Sequence, residues 1–223
     1  MTHADDDGMV IPPKIAPSHL VILPVLRKNS DSGAVLEYCG QIKEALEQKE
    51  YFGGNVRVEI DDRDLRGGEK MWSWIKKGIP TWIEVGSRDI ESDSVFFGRR
   101  DLGPKERKGV GRKEFIDFFT DTLDENQDNI LQRALNFREE NTVEIDSEEE
   151  FYAFFTPENS GQPEIHGGFA MAHYSGEPEL EAKLQNDLKV TVRCIPQREN
   201  PASGTCIFTG KPSAQRVVFA KSY

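Results

Sequence analysis

The sequence predicts an α/β protein: a mixed, mostly parallel sheet flanked by helices, followed by a helical linker and a small α+β domain. Three observations support this prediction. Short apolar runs alternate with amphipathic segments in the first half, in the order β-α-β-α-β-β, which favours parallel strands joined by crossover helices. A long helical pattern covers residues 113–140. Four strand-like runs and one helix make up the tail.

The elements of the first half follow from the spacing of apolar residues. Residues 19–26 form a continuous apolar run, which is typical of a central strand. Residues 33–49 show near-helical apolar spacing after the candidate caps Asp31 and Ser32. The remaining predictions are a strand at 56–60, an amphipathic helix at 68–77, and two strands, TWIEVG (81–86) and DSVFFG (93–98), around the turn SRDIES (87–92).

The second half predicts a longer helical region and a separate small domain. The helical pattern is expected to break near DENQDN (124–129), and Ser147 is expected to cap the helix EEEFYAFF (148–155). Residues 157–168 are predicted to form a loop. The tail is predicted to contain strands at 168–174, 188–195, 204–208 and 216–223, with a helix at 176–187 packed against them.

The predicted domain boundaries follow from these patterns. Residues 1–17 contain three prolines, which disfavour regular structure, and form a lead-in segment. Residues 18–125 hold the α/β domain. Residues 126–223 hold the rest of the helical linker and the α+β domain.

The charge of the chain is unevenly distributed. Of 223 residues, 39 are acidic and 28 are Lys or Arg, and the resulting net charge of −11 argues against a nucleic-acid partner. Residues 63–113, however, hold 13 Lys/Arg against 8 Asp/Glu, whereas residues 114–158 hold 2 against 14. A locally basic domain beside an acidic helical segment is able to bind RNA on its basic side. The alternative is that both runs are ordinary solvated surface.

The sequence disfavours several classes of protein. No apolar run approaches the ~20 residues that span a bilayer, and the opening HADDD is not a signal peptide, so we expect a cytoplasmic location and no membrane partner. The three cysteines are widely spaced and odd in number, which disfavours a disulfide framework, and Cys194 is expected to be a buried core thiol. The sequence contains no histidine metal motif, P-loop or nucleophile elbow.

Residues 61–101 contain the candidate functional site. Glu84 lies in a predicted strand and is followed by a group of arginines: Arg88, Arg99 and Arg100. A carboxylate accepts hydrogen bonds from base donors and an arginine donates to base acceptors, so this cluster is able to recognise the edges of exposed RNA bases. One alternative is that Glu84 simply pairs with a neighbouring arginine. Adjacent strand residues also face opposite sides, so only one of Arg99 and Arg100 would reach RNA if the strand continues.

The motifs of the chain resemble those of prolyl-tRNA synthetases. The lead-in THADDDGMVIPPKIAP is similar to the stretch after the last catalytic motif of that family. DDRDLRGGEKMWSWIKKGIP, followed by WIEVGSRDIESDSVFFGRRD, is similar to its anticodon-binding domain. GEPELEAKL, VRCIP, GTCIFTGKPS and VVFAKSY are similar to the C-terminal domain of its archaeal/eukaryotic-type members. The resemblance covers essentially the whole chain, assigns 18–125 to the anticodon-binding domain and assigns 126–223 to the C-terminal domain.

The resemblance implies that the chain binds the anticodon loop of proline tRNA, tRNA(Pro). Proline codons begin with CC, so each such anticodon carries two adjacent guanines. Glu84 would accept hydrogen bonds from guanine N1–H and N2–H, and the neighbouring arginines would donate to O6 and N7. Phe96 or Phe97 would stack on a base. The cations expected to neutralise RNA phosphates are Lys76, Lys77 and those of the run KERK (105–108), which are Lys105, Arg107 and Lys108.

The resemblance also implies what the chain lacks. A class II synthetase activates its amino acid with ATP and Mg²⁺ in an upstream catalytic domain, and this chain begins after the arginine-bearing motif of that domain. We therefore expect the chain alone to be inactive as an aminoacyl-tRNA ligase and to hold no ATP or Mg²⁺. Full-length members are expected to be homodimers with an interface largely in the upstream domain, which leaves open whether this chain alone is a monomer.

A zinc site is a further property of many members of this family, which hold the ion with four cysteines of the C-terminal domain. The resemblance places Ser175, Leu180, Cys206 and Thr209 at these ligand positions. Only one thiolate remains, whereas structural zinc needs four Cys or His ligands. The chain is therefore expected to bind no zinc.

The main alternative to a synthetase is a free-standing accessory or interaction paralogue without catalysis. Two features leave this alternative open. Ser87 of the SRD motif stands where family members commonly have proline, and the net charge is strongly acidic. A gene that continues upstream into class II catalytic motifs would favour the synthetase.

Overall fold

The computed structural model describes residues 2–26, 32–103, 106–157, 167–197 and 201–222. The chain divides into two compact units, Met1–Leu135 (unit 1) and Asn136–Tyr223 (unit 2). This division lies later than the predicted boundary at residue 125, because the helix that starts at Arg112 continues to Glu140. None of the helices in the described residues has the length and apolar composition of a membrane span. The candidate cap Asp31 lies outside them.

The elements of unit 1 keep the predicted β-α-β-α-β-β order, with three further short strands and one further short helix among the described residues. They are a 3₁₀ turn (Pro13–Ile15), β1 (Leu20–Pro24), α1 (Ser32–Glu47), β2 (Glu50–Tyr51), β3 (Gly54–Asn55), β4 (Val58–Ile60), α2 (Gly67–Lys76), β5 (Thr81–Val85), α3 (Ser87–Glu91), β6 (Ser94–Arg99), β7 (Lys108–Gly111) and most of α4 (Arg112–Glu140). The main sheet has the order β4-β1-β5-β6-β7. Strands β4, β1 and β5 are parallel, and β6 and β7 are antiparallel, which confirms a mixed sheet.

The two faces of this sheet are covered by different helices. Ile83 and Val85 of β5 point to one face, where they join the apolar side chains of α1 and α4 in the larger core. Trp82 points to the other face and packs with Val21 of β1 and Ile75 of α2. Because side chains alternate along a strand, Glu84 shares the α2 face with Trp82.

The lead-in packs against α2 and the turn that follows it. The Met9 N–H donates to Lys76 O at 3.3 Å, and the Ile11 N–H donates to Gly78 O at 3.4 Å. Gly8 has a φ of +136°, and a Cβ there would stand 2.6 Å from Lys76 Cα. Any side chain at residue 8 would therefore separate the lead-in from α2.

Unit 2 has an α+β architecture. Its elements after α4 are β8 (Thr142–Glu144), α5 (Glu148–Phe155), β9 (Phe169–His173), α6 (Pro178–Leu188), β10 (Val190–Cys194), β11 (Gly204–Thr205), β12 (Pro212–Ser213) and β13 (Arg216–Lys221). The main sheet has the order β10-β13-β9-β8. The Phe151 ring lies 5.0 Å from the Phe219 ring in the core. The Glu150 N–H donates to Ser147 Oγ at 3.2 Å, which confirms the predicted cap of α5.

Two local predictions are wrong, for reasons that the hydrogen bonds make clear. SRDIES forms the short helix α3 rather than a turn, because Asp89 Oδ2 accepts the Gly86 N–H at 2.8 Å. Helix α4 continues through DENQDN without a break. Asn126 is fully buried within that motif, and its Nδ2 donates to Pro80 O at 3.1 Å. The polar motif is thus anchored to the rest of unit 1. The short strands β2, β3, β7, β8 and β12 were not predicted from the sequence.

Cys194 is exposed, which contradicts the prediction of a buried core thiol. The reason is its place in the sheet. β10 is an edge strand, and its exposure increases from the buried Val190 to the exposed Arg193 and Cys194. The apolar composition of the strand alone does not reveal that its second half leaves the core.

Candidate nucleic-acid interface

Glu84 lies near the carboxyl end of the parallel strands. It is the next-to-last residue of β5 and lies opposite Phe96 of β6 in the antiparallel pair. Its side chain is 28 % exposed, whereas Trp82, two residues earlier on the same face, is buried beside α2. Open α/β sheets bind ligands at the carboxyl edge of their strands. Glu84 therefore stands at the edge where a ligand would bind.

Arg107 is the partner of Glu84. Its Nη1 donates to Glu84 Oε1 at 2.5 Å. The guanidinium carbon lies 5.2 Å from the centre of the Phe96 ring, and Nη1 lies 3.6 Å from Met71 Sδ of α2. This is the alternative that the sequence left open, in which Glu84 pairs with an arginine. The sequence could not indicate which arginine, because Arg107 directly precedes the unpredicted strand β7.

The site retains a hydrogen-bond acceptor and an aromatic face. Within the described part of the chain, Glu84 Oε2 accepts no hydrogen bond. Phe97 is 3 % exposed and packs 5.2 Å from Phe115 in the larger core. Phe96 points to the Glu84 face and is only half-buried. Of the two phenylalanines, Phe96 is therefore the one placed to stack on a base.

The guanidinium of Arg99 forms its hydrogen bonds within unit 1. It donates to Asp101 through Nε at 3.1 Å and Nη2 at 2.8 Å, and to Glu125 through Nη1 at 2.8 Å. Burial alone would lower the pKa of Arg99, but the hydrogen bonds to these carboxylates outweigh burial and raise it. The guanidinium thus connects α4 to the residues that follow β6. In this structure the donors of Arg99 therefore point to carboxylates of unit 1, and its contact with a base stays a prediction.

Arg100 is also paired within the protein, and its side chain is buried. It is 3 % exposed and forms an ion pair with Asp5 of the lead-in. Its Nη1 donates to Asp5 Oδ2 at 2.8 Å, and its Nε donates to Met9 O at 3.1 Å. The hydrogen bonds and the charge of Arg100 lower the pKa of Asp5 against the effect of burial. Arg100 therefore anchors the lead-in. It presents no exposed edge to RNA, which contradicts the expectation that Arg100 donates to a base.

Arg88 and Arg66 are exposed cations at the carboxyl edge. Arg88 lies in α3, directly after β5 and Glu84, and Arg66 lies between β4 and α2. Neither guanidinium forms an ion pair with a described residue. Sequence reasoning missed Arg66, although it lies in the DDRDLRGG turn that opens the candidate region. Both arginines are free to contact a phosphate or a base.

The lysines at the end of α2 lie at the other edge of the sheet. Lys76 and Lys77 precede the start of β5, whereas Glu84 is near its end. Lys77 Nζ lies 4.7 Å from the centre of the Trp74 ring. Lys76 lines a shallow hollow on α2 beside Trp72, which is 39 % exposed. The structure therefore does not bring these lysines together with Glu84.

Lys108 belongs to the opposite face of the sheet. It pairs with Phe97 across β6 and β7, whereas Glu84 pairs with Phe96. Alternation along the strands places Lys108 on the side of Phe97. Lys108 is exposed, so it remains a surface cation. Lys105 lies outside the described residues.

A buried carboxylate fixes α2 to the end of β4. Asp61 is 4 % exposed and accepts hydrogen bonds from Arg63 Nη2 at 2.6 Å and Trp74 Nε1 at 2.8 Å. Lys70 Nζ donates to the backbone oxygen of Asp61 at 3.0 Å. The hydrogen bond from Arg63 is the main cause that lowers the pKa of Asp61 to about 2, against the effect of burial. Sequence reasoning missed this network, which holds α2 on the face that carries Glu84.

Unit 1 matches a known class of domain. Residues 19–122 match the family model described as "Anticodon binding domain". Residues 162–223 match the model described as "Prolyl-tRNA synthetase, C-terminal". The chain therefore combines an anticodon-binding domain with the C-terminal domain of a synthetase.

The relatives identify the synthetase family. "Proline--tRNA ligase 2" of Anaeromyxobacter dehalogenans is 51 % identical over 100 % of this chain, which covers 44 % of that protein. "Proline--tRNA ligase" of Rhodopirellula baltica is 46 % identical over 100 % of this chain, which covers 43 % of that protein. The crystal structure of prolyl-tRNA synthetase from Cryptosporidium parvum, complexed with L-proline and AMP, has a TM-score of 0.82 at 26 % identity and covers 100 % of this chain and 44 % of that chain. This chain belongs to the prolyl-tRNA synthetase family, and it spans less than half the length of these relatives.

The four positions expected for zinc ligands do not fit that metal. Ser175 Oγ and Thr209 Oγ1 lie 3.1 Å apart and form a hydrogen bond, and Cys206 is 2 % exposed. Leu180 packs against the aromatic core of unit 2. Burial would raise the pKa of Cys206, but hydrogen bonds from Ser175, Thr209 and backbone N–H groups outweigh it and lower the pKa. One thiol, two hydroxyls and an alkyl chain do not provide the four Cys or His ligands of structural zinc.

Proposed function

We propose that this chain recognises the anticodon loop of tRNA(Pro) as the RNA-binding part of a proline–tRNA ligase. The observation that carries the proposal is the environment of Glu84. A half-buried carboxylate with an available acceptor lies opposite a half-buried aromatic ring, at the carboxyl edge of an anticodon-binding domain. Unstacked loop bases are the usual targets of sequence-specific RNA-binding proteins, because their pairing edges are exposed.

The chemistry of this environment suits guanine. Guanine presents N1–H and N2–H side by side on its pairing edge, and the two oxygens of Glu84 can accept both. Phe96 can stack on the base, since every base has a π-face and base–aromatic stacking contributes roughly 1–3 kcal/mol. Adenine has an acceptor at N1 and would face the carboxylate with a lone pair. One of the two guanines that proline anticodons share would therefore match the site.

The surrounding cations provide affinity without base specificity. Arg66 and Arg88 are exposed at the carboxyl edge, where the phosphates next to a bound base would lie. Lys76 and Lys77 extend positive charge along α2, away from Glu84. We leave Arg99 and Arg100 out of the proposed interface, because both are paired inside the protein.

The remaining properties belong to the complete enzyme. We propose that ATP and Mg²⁺ binding, proline activation, homodimer formation and a cytoplasmic location are properties of the full-length ligase. The 223-residue chain by itself is expected to bind RNA and not to activate proline. Proline-dependent ATP–pyrophosphate exchange by the isolated chain would contradict this assignment.

The test compares RNA stem-loops that differ at one anticodon position. The chain is expected to bind a tRNA(Pro) anticodon stem-loop more tightly than the same loop with a guanine replaced by adenine. Glu84→Gln should reduce this preference by about fivefold to 150-fold, the value of one good bidentate contact. Glu91→Gln is the matched control, because Glu91 is an exposed carboxylate of α3. If Glu84→Gln weakens the binding of both stem-loops equally, base recognition by Glu84 is contradicted. If the unaltered chain shows no preference for the guanine stem-loop, a non-specific accessory protein is favoured.

A further inference from the structure

We propose that Arg107 occupies the guanine position of the RNA-free protein and must leave it when the anticodon binds. The inference rests on the proposed role of Glu84. A guanine at this site would use two features, the carboxylate as acceptor and the Phe96 ring as stacking surface. Arg107 uses both, since its Nη1 donates to Glu84 Oε1 at 2.5 Å and its guanidinium carbon lies 5.2 Å from the centre of the Phe96 ring.

A guanidinium is a close chemical match for the pairing edge of guanine. Both are planar, both present adjacent N–H donors in that plane, and both stack on aromatic rings. Guanine cannot bind Glu84 and stack on the same ring face while the guanidinium of Arg107 is there. Arg107 thus acts as an intramolecular substitute for the base.

The pair is weak enough to be exchanged. The side chains of Arg107 and Glu84 are 29 % and 28 % exposed, so water screens their attraction. The exchange also favours guanine, because Arg107 engages only Oε1 and Glu84 Oε2 accepts no hydrogen bond from the described residues. Guanine would engage both oxygens. Adenine offers no N1–H and would leave Arg107 in place.

This exchange has two consequences for binding. In the free protein the charge of Glu84 is neutralised, which reduces its repulsion of the approaching phosphates. When the RNA leaves, the Arg107–Glu84 pair re-forms, which lowers the net affinity for guanine and favours release of the tRNA. Removal of Arg107 should therefore strengthen guanine binding relative to adenine binding, although it removes a positive charge.

The experiment compares Arg107→Met with Lys108→Met in the full 223-residue chain. Both variants remove one cation, but Lys108 lies on the other face of the sheet. The probes are the tRNA(Pro) anticodon stem-loop and its guanine-to-adenine counterpart, measured by fluorescence anisotropy at several salt concentrations. Methionine at 107 keeps apolar packing on Phe96 and Met71, and thermal unfolding of each variant verifies the fold.

Arg107→Met is expected to raise the guanine-to-adenine affinity ratio roughly two- to fivefold, the range that a half-exposed ion pair supports. Lys108→Met should leave the ratio unchanged, because Lys108 lies on the other face of the sheet from Glu84. An unchanged ratio in Arg107→Met would show that Arg107 does not compete with guanine, and a reduced ratio would show that Arg107 contacts guanine itself. Either result overturns the exchange. Failure of the proposed function is distinct, because the unaltered chain would then show no preference for guanine.

Discussion

Gly98 lies directly opposite Trp82 across β5 and β6, and the indole ring occupies the space where a side chain at residue 98 would stand. A Cβ at Gly98 would be 2.5 Å from two carbons of that ring. The ring has no free space to retreat into, since Trp82 is 1 % exposed and packs with Val21 and Ile75. The glycine of the VFFG motif therefore sets how closely β6 approaches the core under α2.

Gly98→Ala is expected to destabilise the chain by about 1–3 kcal/mol, the usual effect of overpacking a well-filled core. The free energy of unfolding in urea measures the effect. Gly109→Ala is the matched control, because Gly109 also lies in this sheet and its added Cβ would meet no atom within 4 Å. The control should stay within about 0.5 kcal/mol of the unaltered chain. Equal destabilisation by both variants would mean that the loss arises from the strands and not from Trp82.

His19 is a buried imidazole that the fold keeps neutral. It is 1 % exposed, its Nδ1 accepts the Arg57 N–H at 3.0 Å, and its Nε2 lies 2.8 Å from Arg57 Nη2. Burial is the main cause that lowers the pKa of His19 to about 4, and the charge of Arg57 adds to it. The folded state therefore resists a proton that the unfolded state accepts near its ordinary pKa of 6.5.

We expect stability to fall as the pH drops from about 6.5 to about 4. In this window the unfolded state binds the proton and the folded state does not, so acid favours unfolding by on the order of 3 kcal/mol. The pKa of Asp61 is about 2, so its contribution is lost only below its ordinary value of 3.8. Urea unfolding of the unaltered chain and of His19→Asn at pH 7, 6 and 5 measures the difference. Parallel pH profiles would refute the assignment, and His3→Asn, at a half-buried histidine of the lead-in, serves as the control.

The sequence predicts those helices and strands whose structure is determined by residues close together in the chain. The apolar run of β1, the amphipathic α2 and the Ser147 cap all depend on residues close together in the chain. β7 is different, because Lys-Gly-Val-Gly has only one buried apolar residue, Val110. Its pairing with β6 supplies the stability that its own sequence does not.

The partners of the site residues could not be predicted in the same way. Glu84 and Arg107 are 23 residues apart, and their contact requires the register of two strand pairs. Arg100 and Asp5 are 95 residues apart, and Asp5 lies in a segment with no regular structure to predict. The sequence identified the right type of interaction, a carboxylate beside arginines. It could not determine which arginine faces the surface, because burial depends on contacts between distant segments.

The Arg100–Asp5 pair gives an asymmetric prediction. Asp5→Ala removes the carboxylate from the buried guanidinium of Arg100, which keeps its hydrogen bonds to Met9 O and Gly8 O, so we expect a loss of about 1–3 kcal/mol. Arg100→Met leaves only the more exposed Asp5 carboxylate, which water can solvate, so the loss should be smaller. Urea unfolding measures both, with the exposed Asp6→Ala as control. Arg100→Met should also leave the preference for guanine unchanged, and a reduced preference would restore Arg100 to the RNA interface.

The zinc positions provide a test by gain of function. The chain has Cys206 alone among them, so purified protein should contain no stoichiometric zinc, and EDTA should not lower its melting temperature. About one zinc per chain by elemental analysis would overturn this expectation. Conversely, the triple variant Ser175→Cys, Leu180→Cys, Thr209→Cys supplies four thiols, and Ser175 and Thr209 already stand within hydrogen-bond distance of each other. If the family's ligand geometry survives in this domain, the variant should bind zinc and EDTA should then destabilise it, because metal binding to a structural site adds to the free energy of folding.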